Sequence, residues 1–214
     1  MHDRDVEPDA GPPQAALGGT ARPPFFGRDA ELSRIRSLCH HARNGRGGSL
    51  LLLGEPGIGK TSVLQAATRD LRDVLLVEVR GYEAEMAMPF AAVQRLVRPL
   101  LSHVDLLPEQ HRHALQVASG RTDGHPPDRF LVGLGVLGLL ASAGEARPVV
   151  CAVDDAHLLD AESLDVLGFV GRRLEGESAV LLIAGRETTS IVSHVAGVPT
   201  MAVAGLPPTS RSDC

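Results

Sequence analysis

Apolar residues in this chain fall into short unbroken runs, and the stretches between them carry apolar positions at helical spacing. "SLLLLG" (49–54), "PVVCAVDD" (148–155) and "SAVLLIAGRE" (178–187) are such runs, marked by Gly, Pro or Asp, and "DVLLVEVRG" (73–81), interrupted by Glu78, reads as a further strand. Runs of this length without alternation suit parallel strands buried on both faces. "TMAVAGL" (200–206) reads as a fifth strand. "FFGRDAELSRIRSLCHHARNG" places Leu32, Ile35, Leu38 and Cys39 on one helical face, and Asn44-Gly45 closes that helix. "KTSVLQAATRDLR" and "DAESLDVLGFVGRRLEG" predict two more helices. So do "PFAAVQRLVRPLLSHV", "PEQHRHALQVASG" and "PPDRFLVGLGVLGLLASAG", each starting at or near Pro, a usual first-turn residue. Strands alternating with helices predict a parallel sheet with crossovers, an α/β layered domain without internal repeats.

Composition narrows this picture. The chain has 214 residues, one domain's worth with tails, and its 43% hydrophobic content suffices for a core. Aromatics are 3% with no Trp, so Leu, Val and Ala must fill that core. The expected division is a disordered, Pro- and Gly-rich tail at 1–24, a core domain at 25–206 and a short irregular tail at 207–214. A net charge of −5 and a pI near 6.0 give no overall basic balance, so no direct DNA binding is expected. Cys39, Cys151 and Cys214 are odd in number and lack a CxxC pair, which argues against a disulfide framework or zinc site. The N-terminus has no apolar segment of a signal peptide, and the apolar run from Phe130 is shorter than a bilayer span. These features predict a cytoplasmic protein that does not enter a membrane.

Lys60 is the only lysine; every other basic side chain apart from histidine is arginine. It lies in "GEPGIGKTS", where Gly54, Gly59, Lys60 and Thr61 fit the phosphate-loop pattern G-x-x-x-x-G-K-[ST]. After the strand, the backbone of Gly54, Glu55, Pro56, Gly57, Ile58, Gly59, Lys60, Thr61 and Ser62 must curl so that N–H groups point at phosphate oxygens. Bulky side chains would block that approach. The following helix adds the positive end of its dipole. A compact ammonium can reach between the β- and γ-phosphates, whereas a planar guanidinium is wider, which gives position 60 a steric reason to resist the arginine bias. Thr61 is placed to set its hydroxyl on Mg²⁺.

Such a loop needs a carboxylate at the end of another buried strand. "VVCAVDD" supplies Asp154 as the expected Mg²⁺ partner and Asp155 as the candidate to orient or deprotonate the attacking water. "LLIAGRE" ends in Arg186 and Glu187, near the γ-phosphate if its strand lies between the other two.

Other motifs point to packing. Gly133, Gly135 and Gly138 spell G-x-G-x-x-G, but "PPD" opens a helix before them, so they are expected to be small residues at a helix contact rather than a dinucleotide site. The pairs His111/His113 and His40/His41 have no ligand pattern and read as surface residues. Arg172 and Arg173 end a helix, where cations favour the dipole, with a trans-acting arginine finger as the sharper alternative.

Taken together, "FFGRDAEL", "LLLLGEPGIGKTSVL", "VRGYEAEMAMPFAAVQRLVRPLL", "VVCAVDDAHLLDAESLDVLGFVGRRL" and "LLIAGRE" resemble the AAA+/STAND group of P-loop ATPases. More closely, they resemble the N-terminal ATPase module of the large LuxR-type transcriptional regulators of actinobacteria. The resemblance implies a three-layer fold with an additional-strand sheet of order 5-1-4-3-2. It also implies that Phe26, Gly27 and Arg28 pass near the adenine, and that Arg186 is the sensor residue. Asp155 stands where many fast ATPases of the wider class have Glu. The helical lid of such modules has no counterpart after Leu206, and "PPTSRSDC" reads as an abrupt end. The function so implied is an ATP- and Mg²⁺-binding switch domain with slow hydrolysis, catalysed by Lys60, Asp155 and Arg186. The expected partners are ATP or ADP, with self-association or a regulatory protein. A non-catalytic, nucleotide-dependent interaction module or an inactive fragment is the alternative.

Overall fold

A computed structural model describes residues 27–205. Both predicted tails, together with Phe25, Phe26 and Leu206, lie outside the described residues. Five parallel strands form one sheet in the order β2-β3-β4-β1-β5, the α/β P-loop fold of the additional-strand type. The strands are β1 (Gly48–Leu53), β2 (Leu75–Arg80), β3 (Val149–Asp154), β4 (Ala179–Gly185) and β5 (Thr200–Ala202).

The unbroken apolar runs follow from burial on both faces. Alternate residues of β3 and β4 divide between two cores: Val149, Cys151, Val153, Leu181 and Ile183 face one layer, and Val150, Val180, Leu182 and Ala184 the other. The second layer is made by α1 (Asp29–Ala42) and α2 (Lys60–Thr68). Leu32, Ile35, Cys39 and Ala42 bury the inner face of α1, while Asp29 and Glu31 in its first turn and His40 and His41 in its last suit the helix dipole.

The first layer holds α3 (Ala91–Val97), α4 (Glu109–Ala118), α5 (Arg129–Ala146), α6 (Ala161–Gly171) and α7 (Thr189–His194). α3 gives way to a 3-10 stretch at Arg98–Leu106, where Pro99 has no N–H to continue the helix. At 18 residues and mean hydropathy 1.4, α5 meets the length and apolarity of a membrane span, more than the run from Phe130 suggested. It is nevertheless packed between α4 and α6 with Val132, Val136, Leu139 and Leu140 buried. Its glycines are contact points: an added Cβ at Gly133 would come within 2.7 Å of the Phe169 ring, and one at Gly135 within 2.7 Å of Leu115. No dinucleotide loop exists there. α7 has no counterpart in the hydrophobic pattern; it is short and starts where the Thr188 hydroxyl accepts from the amide of Ile191 at 3.2 Å.

Asp160 joins two elements. Its side chain caps α6 by accepting from the Ser163 amide at 2.8 Å, and it also accepts from the amides of Phe90 at 2.8 Å and Ala92 at 3.4 Å. The start of α3 is thereby fixed beside the segment that follows β3. Because all strands run parallel, the C-terminal ends of β1, β3 and β4 open on one edge, with β4 between the other two.

Candidate nucleotide site

β1 ends at Leu53, and the loop from Gly54 to Gly59 leads into α2. Gly57 at φ 74 and Gly59 at φ 100 take left-handed backbone that a side chain would strain, which is why the loop needs glycine there. Lys60, Thr61 and Ser62 form the first turn of α2, so their N–H groups have no partner within the helix. Glu55, Pro56, Gly57 and Ser62 are exposed, and Ile58 and Gly59 are half-buried.

Lys60 is only 8% exposed. Its Nζ donates to the carbonyls of Gly54 at 2.8 Å and Glu55 at 2.9 Å, so the loop closes around its own ammonium. Burial, and next the Arg186 guanidinium, pull this amine below its usual pKa, while Asp154, Asp155 and Glu55 act the other way. A cation destabilised by burial and by a second cation is a ready site for an anion.

Thr61 and Asp154 meet across the end of β4: the Thr61 hydroxyl donates to Asp154 Oδ2 at 2.7 Å. The other carboxylate oxygen accepts from the Asp155 amide at 2.9 Å. A hydroxyl and a half-buried carboxylate meeting beside a phosphate loop fit the oxygen-only coordination that Mg²⁺ prefers. A cavity of about 270 Å³ opens beside them on the β2 side, lined by Thr61, Gln65, Arg80, Tyr82, Arg95 and Asp154 among others.

Asp155 adopts φ 49, left-handed for a residue with a side chain. Its carboxylate pairs with Arg80, at the end of β2, at 3.0 Å. Arg186 is exposed one residue beyond β4, and its charge is felt by both Lys60 and His157.

Arg28, expected near the adenine by resemblance, is 4% exposed and bonded to protein. One Nη donates to the Ile58 carbonyl of the phosphate loop at 2.8 Å, the other to Glu31 at 2.9 Å. Gly27 is exposed at φ 78, and Phe26 lies outside the described residues. Arg172 is engaged with the Ala196 carbonyl, and Arg173 lies over the Phe169 ring at 3.9 Å. No group of three or more His, Cys, Asp or Glu residues suited to a metal occurs among the described residues.

Three neighbours of the two acids were not anticipated from the sequence. Arg80 becomes visible only when β2 is paired with β3, in the register that sets Arg80 opposite Asp154. Gly81 likewise donates its amide to the Asp154 carbonyl at 2.9 Å. His157 follows the two acids closely in "DDAHLLD", a proximity that was available as a signal.

A phosphate loop on β1 with a hydroxyl–carboxylate pair across the next strand defines a P-loop nucleotide-binding domain. Residues 24–183 match the AAA ATPase domain family, and the chain belongs to it. Membership implies nucleotide binding, typically with Mg²⁺. No curated protein matches the chain in sequence. In fold it is similar to the crystal structure of Cdc6p from Pyrobaculum aerophilum, with a TM-score of 0.52 and 18% identity. That likeness covers 86% of this chain and 46% of the other, so the chain spans less than half of that protein's length.

Proposed function

We propose that this chain is a switch domain that binds Mg-ATP and hydrolyses it slowly, within a LuxR-type transcriptional regulator of the STAND group. The observation that carries the nucleotide reading is the meeting of Thr61 with Asp154 beside the buried Lys60. On this reading the loop amides and Lys60 hold the β- and γ-phosphates, and Thr61 and Asp154 hold Mg²⁺. The metal would supply charge neutralisation on the phosphate oxygens. Lys60 and Arg186 add fixed positive charge where negative charge develops, and binding aligns the γ-phosphate for in-line attack by water. The regulator context rests on the resemblance of the five segments quoted above. Its partner would be a regulatory protein or a second copy of the chain, and it would act in the cytoplasm without touching DNA itself.

A second reading is supported by the Asp155–Arg80 pair at 3.0 Å. If that carboxylate stays with Arg80, ATP would set a conformation read by a partner without turnover. Calorimetric titration with Mg-ATP, followed by steady-state phosphate release, tests both. Binding with release supports the switch ATPase, binding without release supports the interaction module, and no binding overturns both.

A further inference from the structure

A second cavity, of about 360 Å³, lies between α3, the 3-10 stretch after it and the turn that ends α4. Its wall carries three guanidinium groups, Arg95, Arg98 and Arg121, and no carboxylate, on a chain whose net charge is −5. Arg95 and Arg98 stand one helical turn apart and so share a face. Arg121 reaches them from the end of α4. Gly120 at φ 65 turns the chain there, and the Arg121 amide donates back to the Gln116 carbonyl at 2.9 Å. The Gln94 side chain clamps the same turn to α3 by donating to the Ser119 carbonyl at 2.7 Å.

Like charges set together repel, and here little offsets them. Arg98 and Arg121 are exposed, and neither has an ion-pair partner among the described residues. Arg95 is half-buried, with its Nη2 2.8 Å from Glu85 Oε2. Yet neither of those two atoms, nor Arg95 Nε, makes an aligned hydrogen bond, although all three are closed to solvent. Nε and Nη2 form the edge of a guanidinium that takes both oxygens of a carboxylate side by side. Buried polar atoms are nearly always paired, so that edge lacks the partner its geometry suits. The floor of the cleft is apolar: Val97 and Leu101 line it, and an adjoining recess of about 50 Å³ continues between Leu101, Val104 and Leu115.

We propose that this cleft binds a small aliphatic carboxylate. Arg95, Arg98 and Arg121 hold its head, and its chain lies over Val97 and Leu101 toward the recess. The guanidinium forks select an anion, and the apolar floor favours one with a hydrocarbon body over a bare ion such as phosphate. A carboxylate there gives the Nε–Nη2 edge of Arg95 the aligned partner that Glu85 does not supply. The site is separate from the phosphate loop, and the proposal does not depend on the ATPase reading. Arg95 does line the cavity beside Thr61 and Asp154 as well, so the two sites share one side chain.

Calorimetric titration of the chain with hexanoate, butyrate, inorganic phosphate and hexan-1-ol tests it. Hexanoate should bind at a single site, about tenfold more tightly than butyrate because two further methylenes are buried. Phosphate and hexan-1-ol should each bind at least about tenfold more weakly than hexanoate, one lacking the chain and the other the charge. A double variant, Arg98→Gln with Arg121→Gln, changes two exposed side chains and should keep the parent melting temperature while losing at least about tenfold in hexanoate affinity. Lys60→Ala should bind hexanoate like the parent, since the phosphate loop is not the site. The Arg95 Nε–H resonance, assigned by its loss in Arg95→Lys, should shift as hexanoate is added. Absence of saturable hexanoate binding, parent-like affinity in the double variant, or loss of binding in Lys60→Ala would overturn the proposal. Phosphate bound as tightly as hexanoate would overturn the assignment of the cleft to an aliphatic carboxylate.

Discussion

Thr61 and Asp154 stand ninety-three positions apart in sequence and share a hydrogen bond of 2.7 Å. The link spans β4, because the strand order sets β4 between β1 and β3. It joins the first turn of α2 to the end of β3, where a divalent cation would need its oxygen ligands. Asp154→Asn keeps an acceptor for Thr61 but removes the negative charge that balances the metal. Affinity for Mg-ATP should therefore drop at least about tenfold, while ATP binding in EDTA and the melting temperature stay near the parent values. Calorimetry with and without Mg²⁺ checks this; equal losses under both conditions would place Asp154 in the fold rather than at the metal.

Lys60 tests the steric account of the sole lysine. Its Nζ fits between two loop carbonyls at 2.8 and 2.9 Å, in a side chain almost closed to solvent. A guanidinium keeps the charge but is too broad for that space. Lys60→Arg should weaken Mg-ATP at least tenfold, roughly the cost of one lost charge-assisted hydrogen bond, and Lys60→Ala should abolish binding. Parent-like affinity in Lys60→Arg would refute the steric argument.

Much of the fold was legible because both faces of β1, β3 and β4 are buried, whereas the edge strands β2 and β5 are partly exposed. Runs such as "SLLLLG" and "SAVLLIAGRE" have no polar face to hide, and glycine, aspartate and proline mark their ends. The phosphate loop was legible because its backbone demands particular residues at fixed spacing. The ion pair between Arg80 and Asp155 was not, since it depends on β2 lying beside β3, a relation between segments some seventy-five positions apart. α7 escaped because one or two turns carry too little periodicity to detect. Arg28 was placed near adenine by resemblance alone, whereas its contact with the Ile58 carbonyl appears only in three dimensions.

Cys39 and Cys151 should be inert in the folded protein. Burial pushes their thiols up to about 11 and about 12, with Arg43 partly offsetting the shift at Cys39. The thiolate is the reactive form, and at pH 8 it would be a fraction of about one in a thousand or less in either residue. In a Cys214→Ser background, a disulfide reagent should label neither thiol until urea opens the domain, and then both together. Rapid labelling in native buffer would contradict the buried placement.

Arg28 is expected to act through the loop. Its guanidinium ties the start of α1 to Ile58 and is itself oriented by Glu31. Arg28→Ala removes the donor to Ile58, and the loop should lose part of its preorganisation, weakening nucleotide binding several-fold. A loop effect does not depend on the base, so ATP and GTP should lose equally in parallel titrations. A loss confined to ATP would show instead that Arg28 reads the adenine.

Asp160 should prove the costliest of these positions for stability, although it holds no nucleotide group. The residue is 1% exposed, and its carboxylate accepts from the amides of Phe90, Ala92 and Ser163. Phe90 stands at φ 62, a backbone conformation that a bulky residue adopts only when its surroundings hold it there. Asp160→Ala would leave three buried donors without an acceptor and remove the cap of α6. The combined cost should be about 3 kcal/mol, a fall of roughly 6–12 °C in melting temperature for a domain this size. Asp160→Asn keeps one acceptor oxygen and should lose about half as much. Because the clasp also sets α3 beside the segment following β3, hydrogen exchange at Phe90 and Ala92 should quicken before the sheet amides do. Thermal melts of the two variants and exchange at those amides decide it. A parent-like melt for Asp160→Ala would mean that the start of α3 is held well enough by packing and by the Val93 amide's hydrogen bond to Ser163 Oγ at 3.1 Å.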